Sequence, residues 1–162
     1  MPVSEEFEVL AEIALAILLG GIVGFERESA GKAAGLRTHM LVAGVSTFLV
    51  AMGHSLLTSY KGEEFAGLIR ADPFRIMGAI ITGLSFVGAG TIIQNKREDR
   101  IEGLTTAASL LFVGAIGIGV ALQKFYLSVG CTILILIVNR MIMKLEYWIG
   151  SKVKKSKEHQ SG

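Results

Sequence analysis

Five long apolar runs, separated by short polar segments, make up most of the chain. They cover about residues 7–25, 38–60, 74–95, 103–123 and 125–144. A helix needs roughly 20 mostly apolar residues to cross about 30 Å of hydrocarbon, which is close to the length of these runs. None shows the period-2 alternation of a transmembrane strand, and an open sheet is not stable in lipid. The pattern therefore predicts an all-α, polytopic membrane bundle of five transmembrane helices.

The runs also set the expected domain boundaries. We expect one transmembrane domain over residues 1–146 and a basic tail over residues 147–162. The N-terminus is acidic, with Glu5, Glu6 and Glu8, and has no basic segment of the kind that starts a signal peptide. The first helix is therefore expected to stay in the mature protein.

Composition agrees with a membrane protein and excludes several other classes. Hydrophobic residues make up 51% of the 162 residues, charged residues make up 19%, and the mean hydropathy is +0.56. A soluble domain of this size could not bury so many apolar runs. The single cysteine excludes a disulfide framework and any metal site built from several cysteines.

Lysine and arginine are unevenly distributed between the two sides that five spans would create. Twelve fall in the loops after the first and third spans and at the C-terminal end, and four fall on the opposite side. Because cytoplasmic segments are enriched in these residues, the N-terminus is predicted outside and the C-terminus in the cytoplasm. The basic tail would also attract anionic lipid.

A short internal repeat is visible at an offset of 68 residues. Gly35-Leu36-Arg37-Thr38 opens the second span, and Gly103-Leu104-Thr105-Thr106 opens the fourth. Each half then consists of a helix, a loop and a second helix, and both loops lie on the same side of the membrane. This arrangement predicts a parallel repeat about an axis normal to the membrane. Small residues four apart, as at Gly20 and Gly24, favour close helix packing within one chain or between chains.

Charged residues near the start of the first and third spans form one group of candidates. Glu12 lies about 7.5 Å inside the first span at 1.5 Å per residue, and Asp72 and Arg75 flank the start of the third. A cation is disfavoured in the first turn of a helix, so Arg75 is expected to pair with Asp72 or Glu12. These residues are either a helix cap with an interfacial ion pair or part of an outward-facing site for a cation or proton.

A second group of polar residues falls where the first span ends and the second and fourth begin. Hydroxyl and carboxylate oxygens are the ligands that Mg²⁺ accepts, although such hydroxyls also satisfy backbone groups between helices. The candidates in this group are Glu26, Arg27, Arg37, Thr38, Thr105, Thr106 and Ser109.

Motifs of enzymatic chemistry are missing. Gly31-Lys32 lacks the spacing of a phosphate-binding loop, the three histidines lack metal-ligand spacing, and nothing orders a nucleophilic triad. We therefore expect no enzyme, no cofactor other than Mg²⁺ as a substrate or ligand, and no nucleic-acid partner.

Three stretches together resemble the MgtC/SapB family of bacterial membrane proteins. They are GFERESAGKAAGLRTHMLV (24–42), DPFRIMGAIITGLSFVGAGTII (72–93) and GLTTAASLLFVGAIG (103–117), and the resemblance covers roughly residues 10 to 120. Many family members have a tryptophan where this chain has Leu111, and virulence-type members add a soluble C-terminal domain. The family's signature polar and glycine positions correspond here to Glu26, Arg27, Gly35, Arg37, Thr38, Asp72, Arg75, Gly88, Gly90, Gly103, Thr105 and Thr106.

The resemblance implies a multi-pass protein of the bacterial inner membrane that is linked to growth at low magnesium. Two hypotheses follow. In the first, an oligomer of small bundles moves Mg²⁺ or another cation, with Glu26 and Asp72 as metal ligands. In the second, the protein moves no ion and regulates another membrane complex, such as an ATP synthase or a P-type pump. The first predicts a wet cavity at the acidic residues, and the second predicts a dry bundle whose polar groups pair internally.

Overall fold

Five helices and one small hairpin form the part of the chain that a computed structural model describes, which is residues 3–59, 73–95 and 100–141. Three of the helices are long and apolar enough to cross a membrane, and the other two are shorter apolar helices. The all-α helical bundle is thus confirmed. The helices are α1 (Val3–Ser29), α2 (Leu36–Ser59), α3 (Pro73–Ala89), α4 (Leu104–Ala121) and α5 (Phe125–Met141).

The third helix is shorter than the sequence predicted. A span over 74–95 was expected, but α3 ends at Ala89, and β1 (Ile93–Asn95) pairs antiparallel with β2 (Arg100–Glu102). The helix stops although the uncharged run continues. At this point Thr91 donates its hydroxyl to the Gly88 carbonyl at 2.7 Å and closes a turn. The chain then returns to α4 through Gly103, whose φ of 90° suits glycine.

The helices α1 and α2 form an antiparallel hairpin whose backbones approach closely. A Cβ atom added at Gly20 would lie 2.6 Å from the His39 carbonyl oxygen, and one added at Gly24 would lie 2.8 Å from the Leu36 Cα. Real Cβ atoms do not approach a backbone so closely, so only glycine fits at these two positions. Small residues here allow dispersion contacts between helices that lipid would otherwise separate.

A second hairpin, α3 with α4, crosses at the corresponding residues. Gly88 faces Ala107, with 3.3 Å from its added Cβ to the alanine Cβ, and these residues stand 68 positions after Gly20 and His39. Between the hairpins, α2 and α4 run parallel, and Ser46 of α2 lies against Gly114, which again follows it by 68 positions. These contacts are the ones that a parallel repeat would produce, and the repeat itself stays a prediction.

The buried core lies where α1, α2 and α4 meet, and α5 is attached to its side. Val23, Ala43, Leu110 and Val113 are fully buried there. Most side chains of α3 instead point away from the bundle, including Phe86, which is 83% exposed. In a bilayer those outward-pointing apolar groups contact lipid rather than water, which explains why so many large apolar residues remain outside the core.

Candidate functional site

A cluster of polar side chains is buried at the end of the bundle where α1 ends and where α2 and α4 begin. Charged and polar side chains are rarely buried unless they are paired, so this grouping needs a partner for each member. Each is at most 6% exposed. We call these residues the buried polar cluster: Glu26 and Arg27 of α1, His39 of α2, Ser109 of α4 and Asn139 of α5.

Glu26 and Arg27 form a bidentate ion pair although they are neighbours in sequence. Arg27 donates from Nε to Glu26 Oε2 and from Nη2 to Oε1, both at 2.6 Å. Neighbouring residues on a helix point about 100° apart, so both side chains must bend toward each other to meet. Asn139 adds a third hydrogen bond from Nδ2 to Glu26 Oε2 at 3.1 Å and thereby joins α5 to α1. Both carboxylate oxygens of Glu26 are therefore occupied, and the pair carries no net charge.

His39 links α2 to α4 through both ring nitrogens. Its Nδ1 lies 2.9 Å from the carbonyl oxygen of Gly35, and its Nε2 lies 3.0 Å from Ser109 Oγ. Ser109 Oγ also lies 2.8 Å from the Thr106 carbonyl oxygen. A carbonyl oxygen only accepts, so the proton on Nδ1 is fixed by Gly35.

An acidic cavity of about 560 Å³ lies at the opposite end of the bundle. Glu12 reaches it from α1 and is hydrogen-bonded to the side chain of Gln123, in the turn between α4 and α5. Gln123 has a φ of 58°, a backbone conformation that is strained for a residue with a side chain. The polar lining residues of this acidic cavity are Glu5, Glu8, Glu12, His54, Thr58 and Gln123.

The structure brings together some of the candidates from the sequence and separates others. Glu26 and Arg27 pair with each other, while Ser109, beside the buried Thr106, contacts His39 instead of a carboxylate. Glu12 bonds to Gln123 and not to Arg75, which is exposed at the start of α3. Of the remaining candidates, Arg37 and Thr105 are exposed, Thr38 is half-buried, and Asp72 falls outside the described residues.

Metal binding by Glu26 and Asp72 stays a prediction. Within residues 3–59, 73–95 and 100–141, the structure contains no group of three or more His, Cys, Asp and Glu side chains placed to hold a metal ion. At Glu26, an ion would have to displace the donors of Arg27 and Asn139.

Several members of these sites were not among the candidates selected from the sequence, including His39, Asn139 and Gln123. In the sequence, His39 lies at the start of the second apolar run, Asn139 lies inside the fifth, and Gln123 ends the fourth. A polar residue inside an apolar run was the available signal, because burying an unpaired polar group in lipid is unfavourable. Hydropathy gives the depth of such a residue but not the helix that it faces.

The acidic cavity and the core of the bundle are expected to differ in reactivity toward a water-soluble thiol reagent. In a Cys131→Ala background, we expect Glu12→Cys to react rapidly with a membrane-impermeant maleimide, because this position lines the acidic cavity. Ser46→Cys, which introduces the same thiol at a position with 0% exposure, is expected to stay protected. Labelling of reconstituted protein followed by mass spectrometry measures both rates. A rate at position 12 as low as the rate at position 46 would show that the cavity does not admit water.

Comparisons with known proteins give relatives along most of the chain. The sequence model of the MgtC family matches residues 13–148. Three similar proteins are "Putative magnesium transporter YhiD" of Escherichia coli K12, "Protein SapB" of Bacillus subtilis 168 and "Protein MgtC" of Brucella suis, at 32%, 33% and 35% identity. The matches cover 90%, 82% and 82% of this chain but 65%, 55% and 50% of the respective relatives, so the chain spans about half to two thirds of their length. No solved structure matches the chain.

Proposed function

The chain belongs to the MgtC family, and from that membership we propose that it serves magnesium homeostasis as a regulator of another membrane protein. In this proposal it spans the bacterial inner membrane, with its N-terminus outside and its C-terminus in the cytoplasm. It acts through contacts within the bilayer and carries no ion through its own bundle. The link to magnesium is supported by the name of the Escherichia coli relative.

The observation that favours regulation over transport is that the side chains of the buried polar cluster are hydrogen-bonded to one another or to nearby backbone. Among the described residues, every buried side-chain nitrogen and oxygen atom has a hydrogen-bond partner. A pathway for Mg²⁺ needs oxygen atoms that are free to replace some of the waters of the ion. In the cluster, the carboxylate oxygens of Glu26 already accept from Arg27 and Asn139.

The size of the bundle also supports a partner-binding role. The five helices of the described residues are few for a transporter, and α3 presents most of its length to the surrounding lipid. A homo-oligomer would supply more helices, and another membrane complex would use the same lipid-exposed surface. Association of either kind in a bilayer is driven by packing of small residues and by hydrogen bonds.

Cation transport remains a second candidate because of the acidic cavity. Glu5, Glu8 and Glu12 give that cavity a negative charge, which raises the local concentration of cations. Under this candidate, an entering ion passes the exposed Glu5 and Glu8 and then meets Glu12, the deepest carboxylate.

We expect reconstituted protein to give no saturable Mg²⁺ flux into liposomes that enclose a magnesium-sensitive dye. Glu12→Gln is expected to rescue growth of a deletion strain at low magnesium as well as the unchanged protein does. The variant removes the deepest carboxylate of the cavity and leaves an amide that can still bond to Gln123. Saturable flux that Glu12→Gln abolishes, together with failed rescue by that variant, would instead establish transport.

A correctly inserted protein is required for this experiment. Protection of Ser46→Cys from the maleimide, in the same liposomes, serves as the check on folding. The proposal also predicts that a strain lacking the gene grows poorly at low magnesium. If deletion has no effect at any magnesium concentration, the assignment to magnesium homeostasis is wrong.

A further inference from the structure

We propose that the contact between His39 and Ser109 is a proton-binding site that couples α2 to α4. The ligand is a single proton taken up from water at Nε2 of His39, where a new N–H bond forms and the ring becomes positively charged. This site is separate from the acidic cavity and does not depend on the regulatory function proposed above. It follows from a count of hydrogen-bond donors around one buried side chain.

Three contacts at this site compete for two protons when His39 is neutral. The contacts are Nδ1 with the Gly35 carbonyl oxygen, Nε2 with Ser109 Oγ, and Ser109 Oγ with the Thr106 carbonyl oxygen. The neutral ring donates from Nδ1, and the serine hydroxyl has one proton that can point to Nε2 or to Thr106 but not to both. One short contact is therefore always without a hydrogen in the neutral state.

One additional proton satisfies all three contacts at once. With Nε2 protonated, the ring donates from both nitrogens, and Ser109 accepts from Nε2 while donating to the Thr106 carbonyl oxygen. The Ser109 hydroxyl must rotate, but no heavy atom has to move. The bond between α2 and α4 becomes charge-assisted, and such bonds are roughly twice as strong as neutral ones.

The surroundings of His39 determine what a charge on the ring would meet. The side chain has 0% exposure, and the ionisable groups near it in the described chain are Glu26 and Arg27 of α1. On the α4 side, the His39 ring contacts the uncharged Ser109. The α5 residue Asn139 is also uncharged and contacts Glu26. Glu26 and Arg27 neutralise each other, so a proton on His39 brings the whole cluster to a net charge of +1.

A route for the proton exists at the nearby end of α2. His39 is the fourth residue of that helix, one turn from Leu36, and its neighbour Thr38 is only half-buried. Opening of the first turn would break its contacts with Gly20 and Gly24 of α1 and expose the ring to water. Terminal turns open at a small fraction of the free energy of global unfolding.

The test is nitrogen NMR of ¹⁵N-histidine-labelled protein in lipid nanodiscs, in a His54→Gln, His159→Gln background that leaves His39 as the labelled ring. At high pH we expect the tautomer with hydrogen on Nδ1, and as the pH falls we expect Nε2 to gain a proton. Ser109→Ala removes the acceptor of the new N–H and is expected to weaken proton binding about threefold to tenfold. Ser46→Ala, which removes a buried hydroxyl from the same helix pair, is the matched control and is expected to leave proton binding unchanged.

Each outcome of the titration decides the proposal. An Nε2 that never gains a proton between pH 9 and the pH at which the protein unfolds would overturn it. Equal changes from Ser109→Ala and Ser46→Ala would overturn the role of Ser109. If Ser109→Ala does not fold, Ser109→Cys, which keeps the size but bonds weakly, takes its place with the same expected weakening.

Discussion

Replacing Arg27 with methionine is expected to lower the free energy of unfolding by about 3–5 kcal/mol, because Glu26 would keep a buried charge without a counter-charge. Methionine retains much of the length and apolar volume of the arginine stem, so the loss reports the charge rather than a cavity. Arg37→Met, at an exposed position near the start of α2, is the control and is expected to change stability by less than about 0.5 kcal/mol. Unfolding of the purified protein in mixed detergent micelles measures both values.

The double variant Glu26→Gln, Arg27→Met separates the cost of an unpaired charge from the value of the pair. Since glutamine is neutral and can still accept from Asn139, we expect the double variant to recover most of the stability lost in Arg27→Met. Replacing a whole buried ion pair is often close to neutral, whereas removing one partner is not. A double variant as unstable as the single one would show that the pair stabilises the bundle in its own right.

The second large effect is expected at Gly20, where Gly20→Ala should destabilise the protein by about 2–3 kcal/mol. The new methyl group would lie 2.6 Å from the His39 carbonyl oxygen and 2.8 Å from the Ala43 Cβ, so the α1–α2 hairpin has to open. Backbone cannot move aside as a flexible side chain can. The same unfolding experiment in micelles measures this loss.

Gly83→Ala is the matched control for Gly20→Ala. An added Cβ at Gly83 meets nothing within 4 Å, so alanine there is expected to be neutral or to stabilise by up to about 1 kcal/mol through helix propensity. Equal losses at the two glycines would mean that helix flexibility, rather than close approach, decides the effect.

The helices could be predicted from the sequence because burial in lipid requires long apolar runs with every backbone group bonded inside the helix. Their ends could be predicted less well. At Ala89 the run stays uncharged, and the helix stops where Thr91 bonds to the Gly88 carbonyl through both its amide and its hydroxyl, a local feature that hydropathy averages away.

The candidate sites divide in the same way. Glu26 and Arg27 could be identified because they follow the first apolar run directly, and charge next to the membrane interior is unfavourable without a reason. Their connection to Asn139 could not, since it spans 113 residues and depends on the rotation of α5 about its axis. His39 was visible as a polar residue, but its contact with Ser109 depends on the register between two parallel helices, which no single-helix pattern specifies.

The adjacency of Glu26 and Arg27 has a consequence for biosynthesis. A charge pair shared between two helices leaves each helix charged until the other has been made, and a lone charge opposes burial of a helix end, although less than it would at the helix centre. Here both charges leave the ribosome one after the other, and they can neutralise each other inside α1 before α2 has been translated. Asn139 emerges 113 residues later and completes the hydrogen bonding of a carboxylate that is already neutralised. The first helix therefore carries its own counter-charge into the membrane.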